Sequence, residues 1–309
     1  MSKTGDGGYD VIIIGGGPSG LSAALLLGRC RRRVLLFDAG HPRNAASKAM
    51  HGFLGLDGIN PATFLEQARQ DLREYPCVRV SHTTVDHVER GDRGFKAVTM
   101  EGQTYKSRSM ILATGVRDSL PDIPGFLDFY GTSAHTCPYC DGWEHRDRRI
   151  GIVGNDTAAV DLTLELIIWS QDITLYTNAP GGLDPESSSK LSINGVKIVP
   201  GKITRLAGGD GQLCAVVIGT ETFLCDGLFF SPAQRHQSKL AHDLGCEVER
   251  ENGAVICQSD GDSNVKGLFI AGNLSKGIQL ALVAAAEGIK AAVSANEWLL
   301  AADLKTGLS

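Results

Sequence analysis

Apolar positions along this chain follow a repeated pattern of a short continuous run, a glycine-bearing turn and an alanine- and leucine-rich stretch. Tyr9 to Ile14 is a β-branched run without polar breaks and predicts a buried strand. It enters Gly15-Gly16-Gly17-Pro18-Ser19-Gly20, then a helix over Leu21 to Gly28, then a second strand over Val34 to Phe37. Pro61 to Glu74 carries Phe64, Leu65, Ala68 and Leu72 at helical spacing, with proline in the first turn. Val78 to Val80, Val85 to Glu89, Phe95 to Met100 and Thr104 to Tyr105 alternate apolar and polar residues around a turn at Gly91 to Gly94. These predict a small inserted antiparallel sheet. Ser109 to Gly115, Ile150 to Val153 and Ile173 to Tyr176 return to buried-strand character. Gly195 to Val199, Leu213 to Ile218 and Thr222 to Phe230 are three further expected strands, and 238 to 244 a short helix. Gly267 to Asn273 repeats the buried-strand pattern before a long helix over Leu280 to Leu300, whose Ala284, Ala285 and Gly288 permit close packing. Buried strands alternating with helices place the chain in the α/β class, with parallel sheets covered on both faces.

Composition narrows the field. At 309 residues, 42% hydrophobic and 21% charged, the chain has room for two domains of about 150 residues each. A net charge of -5 gives no footprint for nucleic acid. The one basic cluster, Arg29-Cys30-Arg31-Arg32-Arg33, falls at a helix end, where a dipole-complementing role competes with phosphate binding. No run approaches the roughly 18 apolar residues of a membrane span. Met1 to Asp10 is short and polar, so no secretory signal is expected, and eight cysteines in 309 residues fall short of a disulfide scaffold and suit a reducing cytoplasm.

The opening turn has the dinucleotide fingerprint in its required setting of strand, turn, helix and strand. Gly15 permits the turn, Gly17 lets backbone approach a pyrophosphate, Gly20 packs helix on strand, and Asp38 ends the second strand where a ribose hydroxyl is expected. Spacing alone does not choose between flavin and nicotinamide dinucleotides. Loops after such strands surround the ligand, so Arg43, Asn44 and His51 are candidates for lining it, with a surface role open for Arg43 and His51. Ile150-Gly151-Ile152-Val153-Gly154-Asn155-Asp156-Thr157-Ala158-Ala159 repeats the motif in damaged form. Asp156 stands at the second glycine position, where a carboxylate obstructs and repels a pyrophosphate. From Ser170 to Ser189 there is no Lys or Arg, although an NADP site normally places Arg there for the 2′-phosphate. Whether this half serves as scaffold or binds another ligand is open.

The chemistry centres on His135-Thr136-Cys137-Pro138-Tyr139-Cys140-Asp141-Gly142. Two cysteines at this spacing with an acid directly after them suit a redox couple, because one thiol pKa falls and the pair exchanges electrons together. Half of a zinc site and two incidental thiols are the other readings. Zinc needs a second Cys or His pair at short spacing, and the remaining cysteines stand singly.

Together, Gly15-x-Gly17-x-x-Gly20, Ala113-Thr114-Gly115, Cys137-Pro138-Tyr139-Cys140-Asp141-Gly142 and Leu268-Phe269-Ile270-Ala271-Gly272 resemble the low-molecular-weight thioredoxin reductase family, in family order over nearly the whole chain. The resemblance implies two Rossmann-like three-layer domains. A split FAD domain would comprise 1–117 and 244–309, and an inserted domain, 118–243, would carry the redox disulfide. Beyond Gly15, Gly17, Gly20 and Asp38, it implies cofactor contacts from Pro18, Ser19, Asn44, Ala113, Thr114, Gly115, Gly272, Asn273, Gln279 and Leu280. By the same resemblance Cys140 faces the flavin, Cys137 exchanges with substrate, Asp141 is the acid/base, and the protein is a homodimer. Asp156, the missing basic motif and Asn273 in place of the family's aspartate depart from the pattern. The first two set NADPH in doubt. The details Cys-Pro-Tyr-Cys, Arg43-Asn44 with His51-Gly52-Phe53, and Leu175-Tyr176-Thr177-Asn178 resemble the branch of flavin-dependent dithiol oxidases. Ferredoxin-linked reductases are a second branch without nicotinamide motifs.

The sequence-based expectation is therefore an FAD-dependent dithiol/disulfide oxidoreductase not using NADPH. Its substrate would be a thioredoxin-like protein or a small-molecule dithiol, and its electron partner ferredoxin or oxygen. A conventional NADPH thioredoxin reductase with a divergent nucleotide site is the alternative, and a non-catalytic flavin or nucleotide sensor the third reading.

Overall fold

The computed structural model describes residues 8–236, 239–258 and 260–306. The start of the polar stretch expected to carry no secretory signal, and Ser238 of the expected short helix, lie outside them. The chain divides into two compact units: 1–45, 62–117 and 234–309 form the first, and 46–61 with 118–233 the second.

In the first unit, Tyr9–Ile14 lies between Val34–Phe37 and Thr104–Leu112 in parallel register, and Val78–Ser81 extends the sheet beyond Val34–Phe37. Thr104–Leu112 has two characters along its length. Its first half pairs antiparallel with Gly94–Thr99, which pairs in turn with Val85–Gly91, and its second half pairs in parallel with Leu268–Ile270. The alternating strands are thus no separate sheet. They continue the main one, because Thr104–Leu112 passes unbroken from half-exposed to fully buried positions.

Helices Pro18–Arg29 and Ala281–Thr306 pack on the face built by Val11, Ile13, Leu36 and Phe269. They approach closely at Gly288, where a side-chain carbon would collide with the backbone carbonyl of Ser19. The small residues of the last helix therefore serve contact with the helix that follows the glycine turn. The basic cluster has a structural role. Arg32 reaches Asp303 at 2.7 Å and Asn296 at 2.8 Å, and the Arg33 guanidinium lies 3.6 Å from Asp10.

The second unit holds a five-stranded parallel sheet in the order Lys197–Val199, Ile173–Tyr176, Ile150–Val153, Gly227–Phe230, Ala134–His135. A three-stranded antiparallel sheet of Ile203–Gly209, Gln212–Ile218 and Glu221–Leu224 accompanies it. The expected single strand over Thr222 to Phe230 is two. Arg149 binds the Asp226 carboxylate through Nε at 2.7 Å and Nη2 at 2.6 Å, and the chain turns there from one sheet to the other.

Two boundaries differ from the expected ones. The return to the first unit falls at Gln234 rather than 244, since Leu240 and Ala241 are buried in the first unit's core. Residues 46–61 group with the second unit, where Met50 bridges to Ile59 and Gly131 lies against the backbone of Ala46. Among the described residues no helix is long and apolar enough to cross a membrane, and no cluster of His, Cys, Asp and Glu forms a metal site.

Candidate active site

The first unit brings the fingerprint together. Gly15 has φ 120°, and a side-chain carbon there would strike the carbonyl of Ala113, so only glycine lets the turn cross the Ala113-Thr114-Gly115 segment. Gly17 is the N-cap of Pro18–Arg29, it carries no side-chain cap, and a carbon added to it would meet nothing within 4 Å. Helix N–H groups face open space there, which is the arrangement an FAD pyrophosphate requires. Asp38 is buried and accepts from the Gly40 N–H at 2.9 Å and from Arg69 at 2.8 and 3.2 Å. Arg69, which the sequence reading did not single out, neutralises the buried carboxylate and fixes its position.

Gly272 has φ 70° and lies against the Ser19 side chain, which sets Gly272 and Asn273 beside the glycine turn. Burial raises the pKa of Glu287, against the opposing effect of a bond from the Gly272 backbone. Gln279 is held in a polar cluster. Its Oε1 accepts from Arg43 Nη1 and from Gln234 Nε2, both at 2.6 Å, and its Nε2 donates to Gln234 Oε1 at 2.8 Å. Gln234 had no signal in sequence beyond its position after the second unit. Leu280 lies half-buried immediately before the last helix, and Asn44 is half-buried in the loop after Asp38.

His51 belongs to the second unit. It lies 3.4 Å from Asp57 and 3.6 Å from Glu144, on the turn that follows the cysteines. The Gly52 N–H and then His51 hold the Asp57 carboxyl below its usual range.

The cysteines occupy the turn between the edge strand Ala134–His135 and the strand Ile150–Val153. Cys137 and Cys140 form a disulfide with Cα atoms 5.3 Å apart. Cys137 is the N-cap of the short helix Pro138–Asp141, and its Sγ accepts from the Cys140 N–H at 3.1 Å. Both cysteines are half-buried, while Tyr139 and Trp143 beside them are exposed. Asp141 Oδ1 lies 3.2 Å from Nδ1 of the buried His135, and His135 Nε2 lies 3.0 Å from Nε2 of the buried His145. His135 was legible only as a neighbour of the cysteines, and His145 not at all, since the turn that joins them is set by the fold.

The repeated motif has a different helix mouth. Asp156 is the N-cap of Thr157–Leu166, and its carboxylate accepts from the Ala159 N–H at 2.9 Å. Downstream of Tyr176, the Thr177 hydroxyl donates to the Ala179 carbonyl at 3.1 Å, and Asn178 Oδ1 accepts from the Ile203 N–H at 2.9 Å. An open pocket of about 610 Å³ is lined by Pro138, Asp161, Glu165 and Ser231 among others, and its charged side chains are acidic. Glu165 also bonds the Tyr139 hydroxyl and raises its pKa.

A glycine turn shaped for a flavin dinucleotide and a Cys-x-x-Cys disulfide on a second Rossmann-like unit define a class. The chain belongs to the pyridine nucleotide-disulphide oxidoreductase family, which it matches over residues 9–288. Within that family it is a flavin-dependent disulfide oxidoreductase of the thioredoxin reductase kind, whose cofactor is FAD. It is 34% identical over 283 residues to thioredoxin reductase tcpT of Claviceps purpurea, covering 85% of this chain and 86% of that one. It is 42% identical over 176 residues to the "Probable thioredoxin reductase" of Arthroderma benhamiae, a match spanning 55% of this chain but only 44% of that relative. The solved structure of HlmI superposes with a TM-score of 0.94 at 34% identity, covering 100% of this chain and 98% of that one.

Proposed function

We propose that this protein interconverts a dithiol and a disulfide through Cys137 and Cys140, with FAD as the electron carrier and without NADPH. The observation that carries the reading is the Asp156 carboxylate at the mouth of the second unit's helix. It fills the position a nicotinamide dinucleotide's pyrophosphate would take and brings a like charge to it. Asp161 and Glu165 add acid nearby, and no Lys or Arg follows Ile173–Tyr176 before Lys190.

The exchange balances as two thiols against one disulfide. A substrate thiolate attacks Cys137 Sγ, the Cys137–Cys140 bond breaks, and Cys140 leaves as a thiolate. The second substrate thiol gives its proton to Asp141 and attacks the mixed disulfide. Cys137 is released, and the substrate is left oxidised by two electrons. When bound, FAD takes that electron pair from the enzyme dithiol. The substrate is a small-molecule dithiol or a thioredoxin-like protein, and the electron partner beyond the flavin is oxygen as acceptor, or ferredoxin as donor when the exchange runs in reverse. The protein works as a homodimer whose cofactor contacts come from Gly15, Gly17, Asp38, Gly272 and Asn273.

Anaerobic titration of the flavoprotein separates this reading from a conventional NADPH reductase. Dithiothreitol bleaches the flavin absorbance and NADPH leaves it unchanged. Rapid bleaching by micromolar NADPH overturns the donor assignment, and Cys140→Ser with undiminished dithiol turnover overturns the disulfide mechanism.

A further inference from the structure

Behind the disulfide runs a line of three titratable groups: Asp141, partly exposed next to Cys140, then His135, then His145, both buried. The two rings are 4.9 Å apart between centroids and both pack on Phe229, at 5.6 and 5.8 Å, so neither nitrogen of the pair reaches solvent easily. His145 Nδ1 has no hydrogen-bond partner among the described residues. The ring lies flat on Gly227, where an added side-chain carbon would come within 2.8 Å of Cγ and 2.9 Å of Cε1 and press on Nδ1, so only glycine lets the ring pack there.

These contacts fix the protons. Desolvation by burial, and then the neighbouring His135 imidazole, push the His145 imidazole down to about 4, so it is neutral at pH 7. A neutral imidazole carries one proton, and an Nδ1–H would be a buried donor without an acceptor among the described residues. The proton therefore sits on Nε2 and is donated to His135 Nε2. His135 then holds its own proton on Nδ1, which points at Asp141 Oδ1. The other charged groups acting on His145 are Asp141 and then Asp226, which raise its pKa, and Arg148, which lowers it.

We infer that His135 and His145 are positioning residues that lock one proton arrangement, His145 Nε2–H to His135 Nε2 and His135 Nδ1–H to Asp141, and so orient the Asp141 carboxylate to accept a thiol proton. The inference rests on the proposed role of Asp141 in dithiol exchange. The pair acts on Asp141 by orienting it.

Nitrogen-15 NMR of the histidine-labelled flavoprotein at pH 7 reads the protons directly, with His135→Gln and His145→Gln used for assignment. His145 protonated on Nε2 and His135 on Nδ1 is the expected result; His145 protonated on Nδ1, or a doubly protonated His135, overturns the inference. A second arm measures the pH dependence of dithiothreitol oxidation. His145→Phe keeps the ring on Phe229 but donates nothing, and moves the acid limb of the rate profile up by about one pH unit, a tenfold loss on that limb. His145→Gln, whose amide donates to His135 Nε2, restores the limb. An unmoved limb in His145→Phe, or equal shifts in both variants, reduces the pair to packing and overturns the inference. Wild-type protein with the stated tautomers but no dithiol turnover overturns the proposed function and leaves the proton arrangement standing.

Discussion

In the first unit the chain leaves Tyr9–Ile14 through Gly17, an N-cap with no side chain, and the helix presents its first N–H groups to open space. In the second it leaves Ile150–Val153 through Asp156, whose carboxylate already accepts from the Ala159 N–H. Strand, turn and helix are the same device in both. One side chain changes what the first N–H groups of the helix meet. A helix N-terminus carries roughly half a positive charge. In the first unit that charge is available to a cofactor, and in the second it is spent on an internal carboxylate that stabilises the helix instead. The second unit has kept the architecture of a nucleotide domain and uses its sheet to seat a disulfide turn and two buried histidines.

Exchanging the caps should break this contrast most severely. Gly17→Asp places a carboxylate where the φ of -79° and ψ of -175° already suit an N-cap, so the helix survives. Flavin content should fall to less than about a tenth of wild type, through repulsion of the pyrophosphate. A yellow Gly17→Asp protein with normal flavin content would mean that the open cap does not mark the cofactor site.

Acid should separate the two units next. The His145 imidazole is held at about 4 in the fold and returns to its ordinary 6.5 when the chain unfolds, so the unfolded chain binds more protons between those values. Stability from this group is complete above pH 6.5 and is lost as pH falls toward 4, by at most about 3 kcal/mol. Amide exchange in Gly227–Phe230 and Ala134–His135 should accelerate over that window more than in Tyr9–Ile14, and His145→Phe should flatten the difference. Equal acid sensitivity in both sheets would contradict it.

A smaller effect follows from removing the second cap. Asp156→Ala should cost about 1 kcal/mol and lower Tm by roughly 2–4 °C. The smallest change is expected from Asp156→Gly assayed with NADPH. Flavin reduction should stay absent, because Asp161, Glu165 and the base-free segment after Tyr176 remain. Fast reduction in that variant would single out the carboxylate as the sole barrier.

Much of this was legible where local rules decide. Tyr9–Ile14, Val34–Phe37, Ile150–Val153 and Ile173–Tyr176 were readable because fully buried parallel strands are written as unbroken apolar runs. The glycine turn and the cysteine pair were readable because their chemistry lies in consecutive residues. Arg69 on Asp38, Gln234 on Gln279 and His145 on His135 join positions distant in sequence or separated by an unmarked turn, and one sequence carries no signal for such partners. The split of 222–230 was missed for a similar reason. Its apolar residues run on through Cys225, and only the Arg149–Asp226 pairing reveals the corner.

The sheet of the first unit gains its strand Leu268–Ile270 and its covering helix Ala281–Thr306 from the last part of this sequence. During synthesis, a ribosome that has not passed that region presents a chain whose Thr104–Leu112 strand has a bare edge and whose Leu21, Ala24 and Leu27 lack their cover. Residues 118–233 emerge earlier and contain every strand of their own sheets. The strands that seat the redox turn are therefore all synthesised before the helix that sets Gly288 against Ser19 beside the glycine turn.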